Sequence, residues 1–115
     1  MNEIIFYIVK LNGIYDILSA LCIVKVINIP YLNTLHLSMI KNGDAKNELF
    51  THFFAYWIFT YGMIRLVGNN ILIAYSYFME AIVFLYELYK DRIYLDKGLF
   101  VILSSLVLGF IVLSK

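Results

Sequence analysis

The chain has 115 residues, 63% of them hydrophobic and 15% charged, with a mean hydropathy of +0.83. A soluble domain of this length is closer to half apolar and one-quarter charged, so an ordinary water-soluble fold is excluded and an integral membrane protein is expected. The net charge of +1, with basic residues dispersed among segment ends, offers no footprint for nucleic acid, and the single cysteine, Cys22, excludes an intrachain disulfide.

Four apolar segments, about 4–29, 49–67, 71–90 and 98–114, each approach the ~20 residues needed to cross ~30 Å of hydrocarbon. They predict an all-α integral membrane bundle of four transmembrane helices in one domain, residues 1–115, with a short interfacial segment between helices one and two. The first segment opens Met1-Asn2-Glu3 without a basic stretch and is interrupted by Lys10 and Asp16, so it is expected to stay as a helix rather than leave as a signal peptide. Cys22 within it is expected to be a small core residue. The segment should end near Asn28-Ile29-Pro30, where proline removes an amide donor and pushes its predecessor out of helical geometry.

In residues 31–48, Leu32, Leu35, Met39 and Ile40 recur at spacings that suit a short helix lying at the interface, and Lys41-Asn42-Gly43-Asp44 reads as a turn. Gly68-Asn69-Asn70 joins helices two and three as antiparallel neighbours, and Tyr94 to Gly98 does the same for helices three and four. Loops 31–48 and 91–97 then share one face with Lys25, Lys41, Lys46, Lys90, Arg92 and Lys97, whereas Arg65, Lys115 and Lys10 mark the other. The positive-inside rule places the richer face in the cytoplasm. Tyr7, Tyr31, Tyr89 and Tyr94 fall near the predicted boundaries, where amphipathic rings favour headgroups.

The polar residues inside the spans carry what chemistry there is. Glu80 and Glu87 lie on one stripe of the third helix with Ser76 and Phe84, and that stripe is expected to face protein. An ionised carboxylate at mid-span costs at least ~2.5 kcal/mol on insertion scales unless a cation stands close. Asn12, Asp16 and Ser19 make a similar stripe in the first helix, and turning both stripes inward brings Asp16 and Glu80 to comparable depth. Two readings stay open: a proton or cation site built on the pair, and hydrogen bonding between helices by protonated acids with Asn12, Ser19 and Ser76. His52 on the second helix is expected to meet Glu87. Trp57, Tyr61 and Arg65 follow one another at spacings of four, so Arg65 either packs along aromatic faces or anchors at the interface. Trp57, Tyr61 and Phe84 are candidates for aromatic packing or for lining a lipid pocket.

His36 and His52, with one cysteine, make no metal-ligand cluster, and no nucleophile elbow, phosphate loop or redox motif occurs, so neither an enzyme, a cofactor nor a metal is expected. The stretch FFAYWIFTYGMIR, through Phe54, Trp57, Ile64 and Arg65, and VFLYEL, through Phe84, Leu85, Glu87 and Leu88, resembles the ergosterol biosynthetic protein 28 family. His52 stands where that family has a basic residue five positions before the Trp. The resemblance implies a four-helix endoplasmic reticulum protein that tethers sterol-metabolising enzymes without catalysing a reaction, with Arg65 and Glu87 as structural polar anchors. Membrane lipids, membrane proteins and a second copy of the chain are the partners expected. The alternative from the residues alone is a lipid- or sterol-binding or proton-coupled membrane protein that uses the acids inside its bundle.

Overall fold

The computed structural model describes residues 3–41 and 46–114; the turn expected at Lys41-Asn42-Gly43-Asp44 lies, beyond Lys41, outside the described residues. Helix α1 (Glu3–Ile23) stops short of the expected boundary at Asn28. Lys25 takes a left-handed conformation with φ 67°, its amide donates to the Cys22 carbonyl at 3.1 Å, and the Val26 amide donates to the Leu21 carbonyl at 3.0 Å. That pair of bonds satisfies the last carbonyls of the helix as a Schellman cap does, with lysine where glycine is usual, so proline only follows a stop already made. Cys22 is buried in α1, as expected.

A strap follows, with one turn of helix α2 (Leu32–Leu35) and a 3-10 turn at Leu37–Met39. It does not lie free on a lipid surface as the leucine spacing suggested. Ile40 pairs with Ile93 in an antiparallel bridge, the Lys41 amide donates to the Arg92 carbonyl at 2.9 Å, and the Tyr94 amide donates to the Met39 carbonyl at 2.8 Å. Met39 is thereby buried among Phe84, Ile93 and Ile102. The two longer loops do share one end of the bundle.

Helices α3 (Glu48–Val67) and α4 (Asn70–Tyr89) each start on an asparagine cap: the Phe50 amide donates to Asn47 Oδ1 and the Leu72 amide to Asn69 Oδ1, both at 2.9 Å. Such caps supply acceptors to amides that the helix leaves unpaired. Helix α5 (Leu95–Leu113) completes four long helices. Three of them, α1, α4 and α5, are long and apolar enough to cross a membrane. α3 matches them in length and runs antiparallel along α1, but Thr51, His52, Tyr56, Tyr61 and Arg65 make it less apolar. Large side chains such as Phe53, Ile71, Ile82 and Phe110 point outward, as lipid contact requires.

The helices associate as two antiparallel pairs, α1 with α3 and α4 with α5, while α3 touches α4 and α1 touches α5 only sparsely. The first pair closes on glycine. A Cβ at Gly13 would stand 2.8 Å from the Gly62 carbonyl, and one at Gly62 would stand 2.8 Å from the Gly13 carbonyl. Ala20 and Ala55 continue the same seam. Small residues let backbones approach where lipid supplies no hydrophobic drive for association. Gly62→Ala forces the two backbones apart and is expected to destabilise the α1–α3 pair by about 1–3 kcal/mol, read as an earlier midpoint in a denaturing-detergent titration. A wild-type midpoint would show that the seam is not closely packed.

Candidate functional site

Arg65 sits in the last turn of α3, yet it is 2% exposed and is not the interface anchor allowed by the sequence. Helical side chains lean toward the N-terminus of their own helix, so an arginine near the end of α3 reaches back toward mid-depth. There its Nη1 donates to Asp16 Oδ2 of α1 at 2.7 Å and its Nη2 donates to Glu80 Oε2 of α4 at 2.6 Å. Nε donates to Ser76 Oγ at 3.2 Å, and Ser76 passes a hydrogen bond on to the Ile73 carbonyl at 2.7 Å. The guanidinium lies 4.0 Å from the centre of the Tyr77 ring and 5.8 Å from that of Tyr61, so the aromatic packing foreseen for Arg65 is realised.

The expected approach of Asp16 and Glu80 is therefore mediated by a cation between them. Ser105 Oγ of α5 donates to the same Glu80 oxygen at 3.2 Å, and Tyr77 OH donates to Asn12 Oδ1 at 2.7 Å. Ser19, placed on the acidic stripe by the sequence, is fully buried, and its hydroxyl has no partner among the described residues. His36, which the sequence left without a role beyond the missing metal cluster, belongs to the site. Its Nε2 lies 3.4 Å from Asp16 Oδ1, its ring stacks on Tyr15 with centroids 5.1 Å apart, and Phe54 meets it edge-on at 6.4 Å. Two carboxylates and one guanidinium leave a formal charge of −1, with His36 as the next group able to carry a positive charge.

One side of this cluster is filled and the other is open. Trp57 packs against Phe54 at 5.9 Å, Tyr61 at 4.9 Å and Phe84 at 5.6 Å, leaving a void of about 10 Å³. Trp57, Tyr61 and Phe84 are thus packing residues, because their rings fill the space that a lipid would need. The open side is a cleft of about 560 Å³ between α1, α5 and the strap. Ile8 and Tyr15 of α1, Leu35 of the strap, and Phe100, Val101 and Leu108 of α5 make apolar walls. Asp16, Arg65, Tyr77, Glu80 and Ser105 make a polar floor, with Asn12 and His36 beside it. Apolar walls with a few convergent polar groups are the usual make-up of a small-molecule site. No group of three His, Cys, Asp or Glu side chains among the described residues is disposed to hold a metal ion.

His52 and Glu87 do not meet. His52 Nε2 lies 3.9 Å from Glu48 one turn earlier, and Arg92 Nη1 donates to both Glu87 oxygens at 3.1 and 3.2 Å. The pairing failed because α3 and α4, although consecutive, pack mainly on other helices, and because Arg92 from the α4–α5 loop reaches Glu87 first. Glu87 does face protein, but at the bundle end and partly exposed.

Removing Arg65 leaves the buried Asp16 carboxylate and the part-buried Glu80 carboxylate without their shared cation. Arg65→Leu is expected to lower stability by about 3–5 kcal/mol, and adding Asp16→Asn and Glu80→Gln is expected to restore most of it, since the loss stems from unpaired charge. Thermal unfolding in mild detergent measures both; a single variant as stable as the triple variant would show that the three charges are not coupled. His52→Leu and Glu87→Leu should combine additively to within about 0.5 kcal/mol, and a larger coupling in the same measurement would restore the contact that these distances deny.

The chain matches no known protein family, no curated protein and no solved structure.

Proposed function

We propose that the protein is an integral-membrane binding protein that holds a lipid-like amphiphile in the cleft between α1 and α5. The observation that carries this reading is the form of the cleft: about 560 Å³, walled by apolar side chains, and floored by a charged cluster between two helices that scarcely touch. An amphiphile can present its head to the floor and its tail to the walls and the surrounding acyl chains. The residues behind the resemblance, Phe54, Trp57 and Phe84, stack on one another inside the bundle, so they speak to packing more than to a surface for enzyme partners. Placement in the endoplasmic reticulum rests on that resemblance alone. The end bearing the strap and residues 90–94 carries most of the basic residues, and the positive-inside rule assigns it to the cytoplasm.

Native mass spectrometry after extraction in mild detergent tests the reading by identifying what travels with the chain. A lipid-like molecule enriched over the bulk extract is expected, and at 100 times its Kd it should stabilise the fold by about 2.7 kcal/mol. Ser104→Trp, which places an indole in the cleft from α5, should abolish both enrichment and stabilisation while the helices persist. Equal lipid binding by wild type and Ser104→Trp would overturn the assignment of the cleft.

A further inference from the structure

The floor of the cleft is selective by charge. Arg65 is 2% exposed and its three donor groups are already directed at Asp16, Glu80 and Ser76, so its charge is spent inside the protein. Glu80 is different. Its side chain is 20% exposed, it lines the cleft, and Arg65 and Ser105 both bond to Oε2, which leaves Oε1 without a hydrogen bond among the described residues. Asp16, 6% exposed, offers its second oxygen only toward His36. The charged groups on the cleft are then Asp16 from α1, His36 from the strap, Arg65 from α3, Glu80 from α4, and Asp96 with Lys97 from α5. Lys97 lines the strap end of the cleft, where its Nζ donates to the Ser38 carbonyl at 3.2 Å and lies 5.7 Å from the Tyr94 ring centre.

We infer that the cleft selects amphiphiles whose head is a protonated amine without a phosphate, an inference that rests on the cleft being a binding site. The ammonium donates to Glu80 Oε1 and offsets the formal charge of −1. An alcohol head forms the hydrogen bond but leaves the charge. A phosphate brings negative charge toward two carboxylates whose guanidinium partner is already engaged by them, while the Lys97 ammonium is held at the strap end on the Ser38 carbonyl, so phosphate-bearing headgroups are disfavoured even when they also carry an amine.

The test uses the full chain in phosphatidylcholine nanodiscs and three probes of equal chain length: dodecylamine, dodecanol and dodecyl phosphate. A hydrogen bond to a charged partner corresponds to a preference of about tenfold for dodecylamine over dodecanol, with dodecyl phosphate weakest. Glu80→Gln, which keeps an oxygen for Arg65 and Ser105, should bring amine and alcohol to equal affinity; should that variant fail to fold, the ranking of the three probes on wild type decides alone. Including phosphatidylethanolamine in the discs should leave dodecylamine binding unchanged. An alcohol or phosphate that binds as tightly as the amine, or displacement of the amine by phosphatidylethanolamine, would overturn the head-group inference and leave the binding cleft standing. No probe binding wild type better than Ser104→Trp would overturn both.

Discussion

The Arg65 guanidinium, held between a carboxylate on α1 and a carboxylate on α4, is the constraint on which the rest of the structure depends. Each of these charges is unfavourable alone in hydrocarbon, by about 2.5–3.5 kcal/mol on insertion scales. Assembly is the condition under which they are tolerated. The backbones of the two helix pairs approach only sparsely, so the ion triad, with the apolar cluster of Val9, Ile73, Ala74, Tyr77 and Val112 beside it, sets how the α1–α3 pair meets the α4–α5 pair. Arginine suits the position because a planar fork can address three acceptors on two helices at once, whereas an ammonium is a single point of charge.

The same constraint explains the cleft. Close packing within each pair comes from small residues, Gly13 on Gly62 in one and Gly109 against the Phe78 ring in the other. Between the pairs the triad and its serines occupy the middle, Val9 packs with Ile73, Ala74, Tyr77 and Val112 toward one end, and the aromatic stack of Phe54, Trp57 and Phe84 fills one flank. What remains on the other flank, between α1 and α5, is space with a polar floor.

Much of this was legible in the sequence. Segment lengths and loop positions follow from local rules, and the inward acidic stripes follow from helical period. The centre of the site was only half legible. Arg65 near a helix end looks the same to a periodic reading whether it snorkels outward or reaches back, and only the depth of its partners decides. The charge balance held a clue, since two mid-span acids need a base and Arg65 is the nearest in an adjoining span. His36 could not be found by spacing at all, because its contact with Asp16 depends on how the strap docks. Nor could the failed His52–Glu87 contact be excluded, because adjacency in the chain does not fix which helices pack. The Gly13–Gly62 seam had a signal that went unread: small residues seven apart in each helix, Gly13 and Ala20, Ala55 and Gly62.

The strap gives the two pairs their second tie. At its middle, His36 sits on Tyr15 and Asp16 of α1; at its end, Ile40 and Lys41 bind the loop between α4 and α5, with Lys41 Nζ 2.6 Å from Asp91. At the far end, Gly68 and Asn69 connect α3 directly to α4, while within the first pair Lys10 Nζ of α1 donates to the last carbonyls of α3 at Arg65 and Leu66, at 3.1 and 2.6 Å. The pairs are thus joined at both ends and at mid-depth by polar and covalent links, and by apolar contact where Val9 of α1 packs with Ile73, Ala74 and Tyr77 of α4 and Val112 of α5 and where Trp57 of α3 meets Phe84 of α4. Away from the Val9 and Val112 end, the flank between α1 and α5 is where the cleft lies. A bundle joined in this way can admit a guest between α1 and α5 without breaking the ion triad, since the guest displaces no side chain that holds the pairs together.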